Sequence, residues 1–161
     1  MPDIKQILPG LARFTIPFPR DPRRVVNSFV LTAGRDAVLI DAAWDVPEAF
    51  EALEATLALG GLGPKDVRTV LITHLHPDHL GLAGRLSKLG AKIGYHPAEE
   101  MVMLPRLRRL KQFRGHTLLW ERLNGAPPDN DPAITSLSVV EATLQDVPHP
   151  DLPLEGGETI Y

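Results

Sequence analysis

Val70-Leu71-Ile72-Thr73-His74-Leu75-His76-Pro77-Asp78-His79 places three imidazoles and a carboxylate within six residues, directly behind an apolar run. If the run is a strand opening into a loop, His74 and His76 project to one side, because extended side chains repeat every second residue. Pro77 resists both helix continuation and a ladder hydrogen bond, so Asp78 and His79 turn away toward a second position. The pattern reads as four ligands shared between two neighbouring metal ions. Two plainer readings stand beside it. A single surface histidine is usually a solvated side chain, and Asp78 suits the N-cap of a helix that begins near His79 and runs through Leu80, Leu82, Ala83, Leu86 and Leu89. Three of the six histidines in one loop at the end of a buried strand favour the metal reading.

Working outward, residues 11–16 and 25–33 group apolar β-formers on either side of a proline-rich turn, and 37–42 adds a third strand. Pro47 opens a helix with Phe50, Leu53 and Leu57 at helical spacing, stopped by Gly60-Gly61 and Gly63-Pro64. Strand 67–73 leads into the histidine loop. A helix through Leu89 and strand 91–95 close a β-α-β-α-β run, which predicts an α/β (α+β) chain with a mixed sheet covered by helices. From Glu99 to Gly125 helix-compatible spacings predict two helices interrupted by Pro105 and Gly115, and residues 126–132 form a loop or hinge before a short final helix. The basic run Arg106, Arg108, Arg109, Lys111 and Arg114 reads as a solvated helix face, with contact to an anionic substrate as the alternative.

Composition narrows the setting. A chain of 161 residues with 43% hydrophobic and 23% charged content supports one domain with a real core. A formal net charge of -3 supplies no global field for nucleic acid or an anionic membrane. No apolar segment approaches the roughly eighteen residues of a membrane helix, and the start lacks the basic and apolar regions of a signal peptide, so a cytoplasmic protein is expected. Zero cysteines exclude disulfides and thiolate zinc sites, leaving nitrogen and oxygen ligands for any metal.

The order His-x-His-x-Asp-His after a hydrophobic strand, preceded by Thr73 and followed by Gly81, resembles the metal-binding signature of the metallo-β-lactamase superfamily. Ala37-Val38-Leu39-Ile40-Asp41-Ala42-Ala43 resembles that family's first motif, a strand ending in an aspartate, with Ala43 standing where glycine is common. The resemblance implies an αββα sandwich of which 1–161 is the N-terminal half, incomplete at the C-terminus, with 97–125 a helical lid or cap over the site; a packed outer helix pair is the alternative. It implies metal ligation by His74, His76, Asp78 and His79, with Asp41 orienting the ligand loop from behind; a strand-end Asx turn is the other reading of Asp41.

The implied activity is hydrolysis of an ester, thioester, lactone, β-lactam or phosphodiester of a small-molecule substrate, with Asp78 ligating while it orients the attacking water. The implied cofactor is zinc, two ions in a complete site, with iron or manganese possible. Alternatives are an iron-dependent oxidoreductase of the same fold and a non-catalytic metal-binding or interaction module. The family completes its site with downstream ligands after a short strand pair, and Leu154 to Tyr161 reads as that hairpin. His149 is a weak candidate for a third ligand, and His116 a weaker one. The sheet's second face is expected to be covered by a second copy of the chain or by a C-terminal half.

Overall fold

The computed structural model describes residues 3–18, 21–109, 123–125 and 147–159. Seven strands form one sheet in chain order: β1 (Asp3–Leu8), β2 (Leu11–Phe18), β3 (Asp21–Ala33), β4 (Asp36–Ile40), β5 (Val67–Leu71), β6 (Lys92–Tyr95) and β7 (Leu152–Pro153). The first four are antiparallel neighbours, and β4 through β7 pair in parallel. Parallel pairing needs crossovers, which α1 (Pro47–Ala58) supplies between β4 and β5, and α2 (Pro77–Leu80) with α3 (Ala83–Lys88) supplies between β5 and β6. Helix α4 (Pro97–Arg108) follows β6. The mixed sheet with helices is the α+β architecture expected from the sequence.

Strand alternation divides the sheet into two unlike faces. Phe14, Ile16, Val26, Val30, Leu39, Val70 and Ile93 point to one side and pack with Leu53 and Leu57 of α1 and Leu80, Leu82 and Leu86 of α2, its loop and α3. Each of these is at most 3% exposed, so each contributes about 1.5–3 kcal/mol of burial. The opposite face carries Phe29, Leu31, Val38, Ile40 and Leu71, placed together by the registers Phe29↔Ile40, Leu31↔Val38 and Ile40↔Leu71. These side chains are half-buried or exposed, and Val25 and Leu31 are 45% and 40% exposed.

Several expectations change in detail. Strand β1 is not predicted from the sequence, because its residues are almost all exposed on the sheet edge and so carry no burial alternation. The third strand stops at Ile40, not 42, because Asp41 takes φ 57° and leaves the extended region. The helix expected from His79 through Leu89 begins at Pro77 and is broken into α2 and α3 at Gly81. A side chain on Gly81 would collide with the Ala43 carbonyl and the Asp45 amide, so the break lets the helix approach the first motif's backbone. Asp78 is therefore not the N-cap, which is His76; it lies in the first turn of α2. Pro105 does not interrupt its helix, since α4 continues to Arg108.

Leu152 and Pro153 pair with β6, and 154–159 follow as an irregular segment in which Glu158 accepts the Glu155 and Gly156 amides. The hairpin expected over 154–161 runs into 160–161, outside the described residues. Residues 110–122, with His116 and the second expected helix, lie outside the described residues, as do the hinge at 126–132 and the final helix. Among the described residues no helix is long and apolar enough to cross a membrane.

Candidate metal centre

The histidine loop leaves β5 at Leu71 and is held from two directions. Behind it, the loop after β4 turns through Asp41 and Ala43, at φ 57° and 52°, a left-handed conformation that costs a non-glycine residue of order 1–3 kcal/mol. The turn joins both flanks of the histidine segment. Asp41 N donates to Leu71 O at 2.9 Å, Ala42 N to His79 O at 2.6 Å, and Leu82 N to Ala42 O at 3.0 Å.

This strained turn aims the Asp41 carboxylate, 7% exposed, into the base of the loop. Its Oδ1 accepts the Thr73 amide at 2.9 Å, both oxygens lie within 3.0 Å of Thr73 Oγ1, and Oδ2 meets His79 Nδ1 at 2.8 Å. A carboxylate accepts only, so the Thr73 hydroxyl donates to Asp41 and must accept from its other neighbour, His74 Nδ1, at 3.0 Å. Both His74 and His79 thereby carry a proton on Nδ1, and in the neutral ring each Nε2 keeps a free lone pair.

Those two Nε2 atoms meet the remaining donors. His74 Nε2 lies 3.0 Å from His76 Nδ1, and His79 Nε2 lies 3.6 Å from Asp78 Oδ2. The His74 ring centroid is 4.1 Å from that of His79 and 4.6 Å from that of His76. The four side chains thus stand as two adjacent pairs. Among the described residues no three His, Cys, Asp or Glu side chains form a ready metal cage. Neutral imidazole nitrogens beside a carboxylate oxygen are nonetheless a donor set suited to zinc, iron or manganese.

The two half-buried imidazoles are shifted in opposite directions. Desolvation is the largest influence on His74 and lowers its pKa below 6.5, with the positive charges of His79 and His76 adding to it. The hydrogen bond His79 donates to Asp41 raises its pKa above 6.5 against its burial.

The loop is also held in front. Leu75, between the first two imidazoles, is fully buried, and its amide donates to Oε2 of Glu99 at 2.9 Å in the first turn of α4. Nothing in the sequence signalled this contact, because Glu99 sits among ordinary acidic residues at a helix start. Thr73 was legible only through its place before the motif. His149 pairs with Glu100 instead, Nδ1 to Oε1 at 2.5 Å, with its side chain 89% exposed. His96 Nδ1 accepts the Ala98 amide at 3.0 Å at the start of α4.

The mixed sheet with its crossover helices, and the histidine-rich loop at the end of β5, define an α+β protein with four clustered donors at a strand end. The family model of the metallo-beta-lactamase superfamily matches residues 21–160, and the chain belongs to that superfamily. A crystal structure of a metallo-beta-lactamase family protein from Thermus thermophilus superposes with a TM-score of 0.70 at 33% identity, covering 97% of this chain and 49% of that one. The metallo-beta-lactamase FIM-1 from Pseudomonas aeruginosa, in its mono-zinc form, superposes at 0.51 with 21% identity over 61% of this chain and 43% of its own. A lactamase-like protein, notP, from an Aspergillus species is 31% identical over 85 residues, which are 50% of this chain and 26% of that protein. The chain therefore spans about half the length of the Thermus protein and about a quarter of the fungal one.

Proposed function

We propose that His74, His76, Asp78 and His79 hold one or two divalent ions, zinc foremost, and that the chain carries the metal side of a hydrolase acting on an ester, thioester, lactone or related bond of a small molecule. The observation that supports this most is the protonation pattern imposed from behind. Thr73 and Asp41 occupy the Nδ1 positions of His74 and His79, so their Nε2 lone pairs face His76 Nδ1 and Asp78 Oδ2. Superfamily membership supports a fold of the metal-dependent hydrolase type.

In this reading a bound ion supplies Lewis acidity, acidifying a coordinated water and polarising the carbonyl under attack. The protein's own residues do the rest. Asp78, at the start of α2, holds and orients the attacking water through a carboxylate oxygen. Asp41 keeps His79 in one tautomer and one orientation, and Thr73 does the same for His74. Leu75 and Pro77, both buried, anchor the loop between the polar side chains.

Zinc titration by calorimetry on the wild type, His76→Ala and His79→Ala tests the assignment. Each variant should lose at least tenfold in affinity, and binding should weaken below about pH 6.5, where imidazole takes up a proton. Unchanged uptake in both variants would reject it. A second reading, metal binding without turnover, is favoured by the arrangement in pairs, which gives each position two described donors where a catalytic zinc commonly takes three.

A further inference from the structure

We infer that Glu99 is a positioning residue for the histidine loop, holding His74 and His76 in their paired arrangement from the start of α4. Between these imidazoles stands the backbone N–H of Leu75. It is met by a carboxylate oxygen from twenty-four residues further along the chain, at 2.9 Å. The peptide plane between His74 and Leu75 sets the direction in which the His74 side chain leaves the backbone. The next residue, Leu75, is fixed by complete burial. Glu99 and the Leu75 side chain therefore fix the same short segment at two points, and the two flanking rings are left on one side with 3.0 Å between Nε2 and Nδ1. A hydrogen bond to an ionised acceptor is about twice as strong as a neutral one, and a buried amide without a partner is costly.

The position of Glu99 makes it more than a local brace. It lies in the first turn of α4, where its own amide donates to His96 O at 2.9 Å, and its neighbour Glu100 takes His149. The helix start thus holds the histidine loop with one glutamate and the segment entering β7 with the next. That segment is further fixed by Tyr95, whose hydroxyl donates to Pro148 O at 3.0 Å. The Glu99 carboxylate thus ties the start of α4 directly to the backbone between the two imidazoles. Asp41 anchors Thr73 and His79 from one side of the loop, while Glu99 anchors the loop's crest from the other.

The inference concerns the metal-free loop, and only its zinc arm rests on the metal reading above. Amide exchange at Leu75 and the imidazole resonances of His74 and His76 are compared by NMR in metal-free wild type, Glu99→Ala, Glu99→Gln and Glu100→Ala. The expected result is accelerated Leu75 exchange and displaced ring resonances for both histidines in Glu99→Ala. Glu99→Gln should retain the wild-type pattern, because its amide oxygen accepts the same bond. Glu100→Ala, one residue away, should leave both rings unmoved. If Glu99→Ala does not fold, Glu99→Leu keeps the bulk without the acceptor and takes its place. Rings unmoved in Glu99→Ala, or equal displacement in Glu99→Gln, would overturn the assignment. In the zinc arm Glu99→Ala should bind about 10-fold more weakly than wild type and Glu99→Gln within about 2-fold. Wild type that takes up no zinc would reject the metal reading, while the ring shifts and exchange rates would still decide the role of Glu99.

Discussion

Nδ1 of His79 lies 2.8 Å from Oδ2 of Asp41, across thirty-eight residues of chain, and this bond joins the superfamily's first motif to its second. It also sets which ring nitrogen is free, so a residue that touches no substrate decides which atom of His79 faces Asp78.

The first prediction follows from that bond. In metal-free protein His79 should titrate above 6.5 and His74 below it, as read by NMR, and Asp41→Asn should move His79 downward. A raised folded-state pKa makes the His79 bond a stabilising contribution that is fully present below 6.5 and fades as pH rises through the folded value. His74 opposes it: below 6.5 the unfolded chain takes up the His74 proton first, and stability falls. The stability difference between wild type and Asp41→Asn should accordingly be larger at pH 6 than at pH 8. A difference independent of pH would show that the bond contributes no charge.

A second prediction concerns the strained turn. Ala43 holds φ 52°, a left-handed conformation that glycine adopts without strain, so Ala43→Gly should stabilise the protein by about 1 kcal/mol in denaturant unfolding. Gly81→Ala should do the reverse, by at least about 1–3 kcal/mol, since its methyl would strike the Ala43–Asp45 backbone and force the two motifs apart. Ala43→Gly without gain would mean that the neighbouring packing already relieves the strain.

Much of this arrangement was legible in the sequence, and the illegible parts share a cause. The histidine loop, the mixed sheet and α1 declared themselves through local spacing: apolar runs, a proline at the helix start, and donors two and four residues apart; Asp41 stood out only through the resemblance of its strand to the superfamily's first motif. Contacts made across the fold left no such mark. Glu99 is indistinguishable from Glu100 in the sequence, yet one reaches Leu75 and the other His149. Asp78 before an apolar helix reads equally as cap or ligand, and only the backbone start at His76 removes the cap. Strand β1 escaped because an exposed edge strand has no buried face to impose alternation. The glycines read as a hairpin near the end serve a turn around Glu158.

A third prediction addresses turnover. The described donors stand two to a position, and an ion held by two side chains is held weakly. The 161-residue chain with zinc in excess should therefore hydrolyse generic ester, thioester or β-lactam reporters far more slowly than the ~10 per second of an ordinary enzyme. Turnover at that level, abolished by Asp78→Ala, would show that the chain completes a catalytic site and would direct attention to His116 and His149.

The last prediction concerns the sheet's second face. Phe29, Leu31, Val38, Ile40 and Leu71 lie side by side there, with Val25 further along β3, and the helices pack on the other side. A contiguous apolar patch beyond a few hundred Å² is more than most soluble monomers leave to water. For this chain in isolation the complementary surface at hand is the same face of another copy, and sheet faces pack about 10 Å apart with their inner side chains interdigitated. Light scattering over a dilution series should show self-association that Leu31→Lys weakens strongly, because a lysine within the patch brings an uncompensated charge into the interface. Glu54→Lys, on the exposed side of α1, should leave it unchanged. A monomer at all concentrations that also fails to bind a hydrophobic dye would mean that the chain itself covers this face.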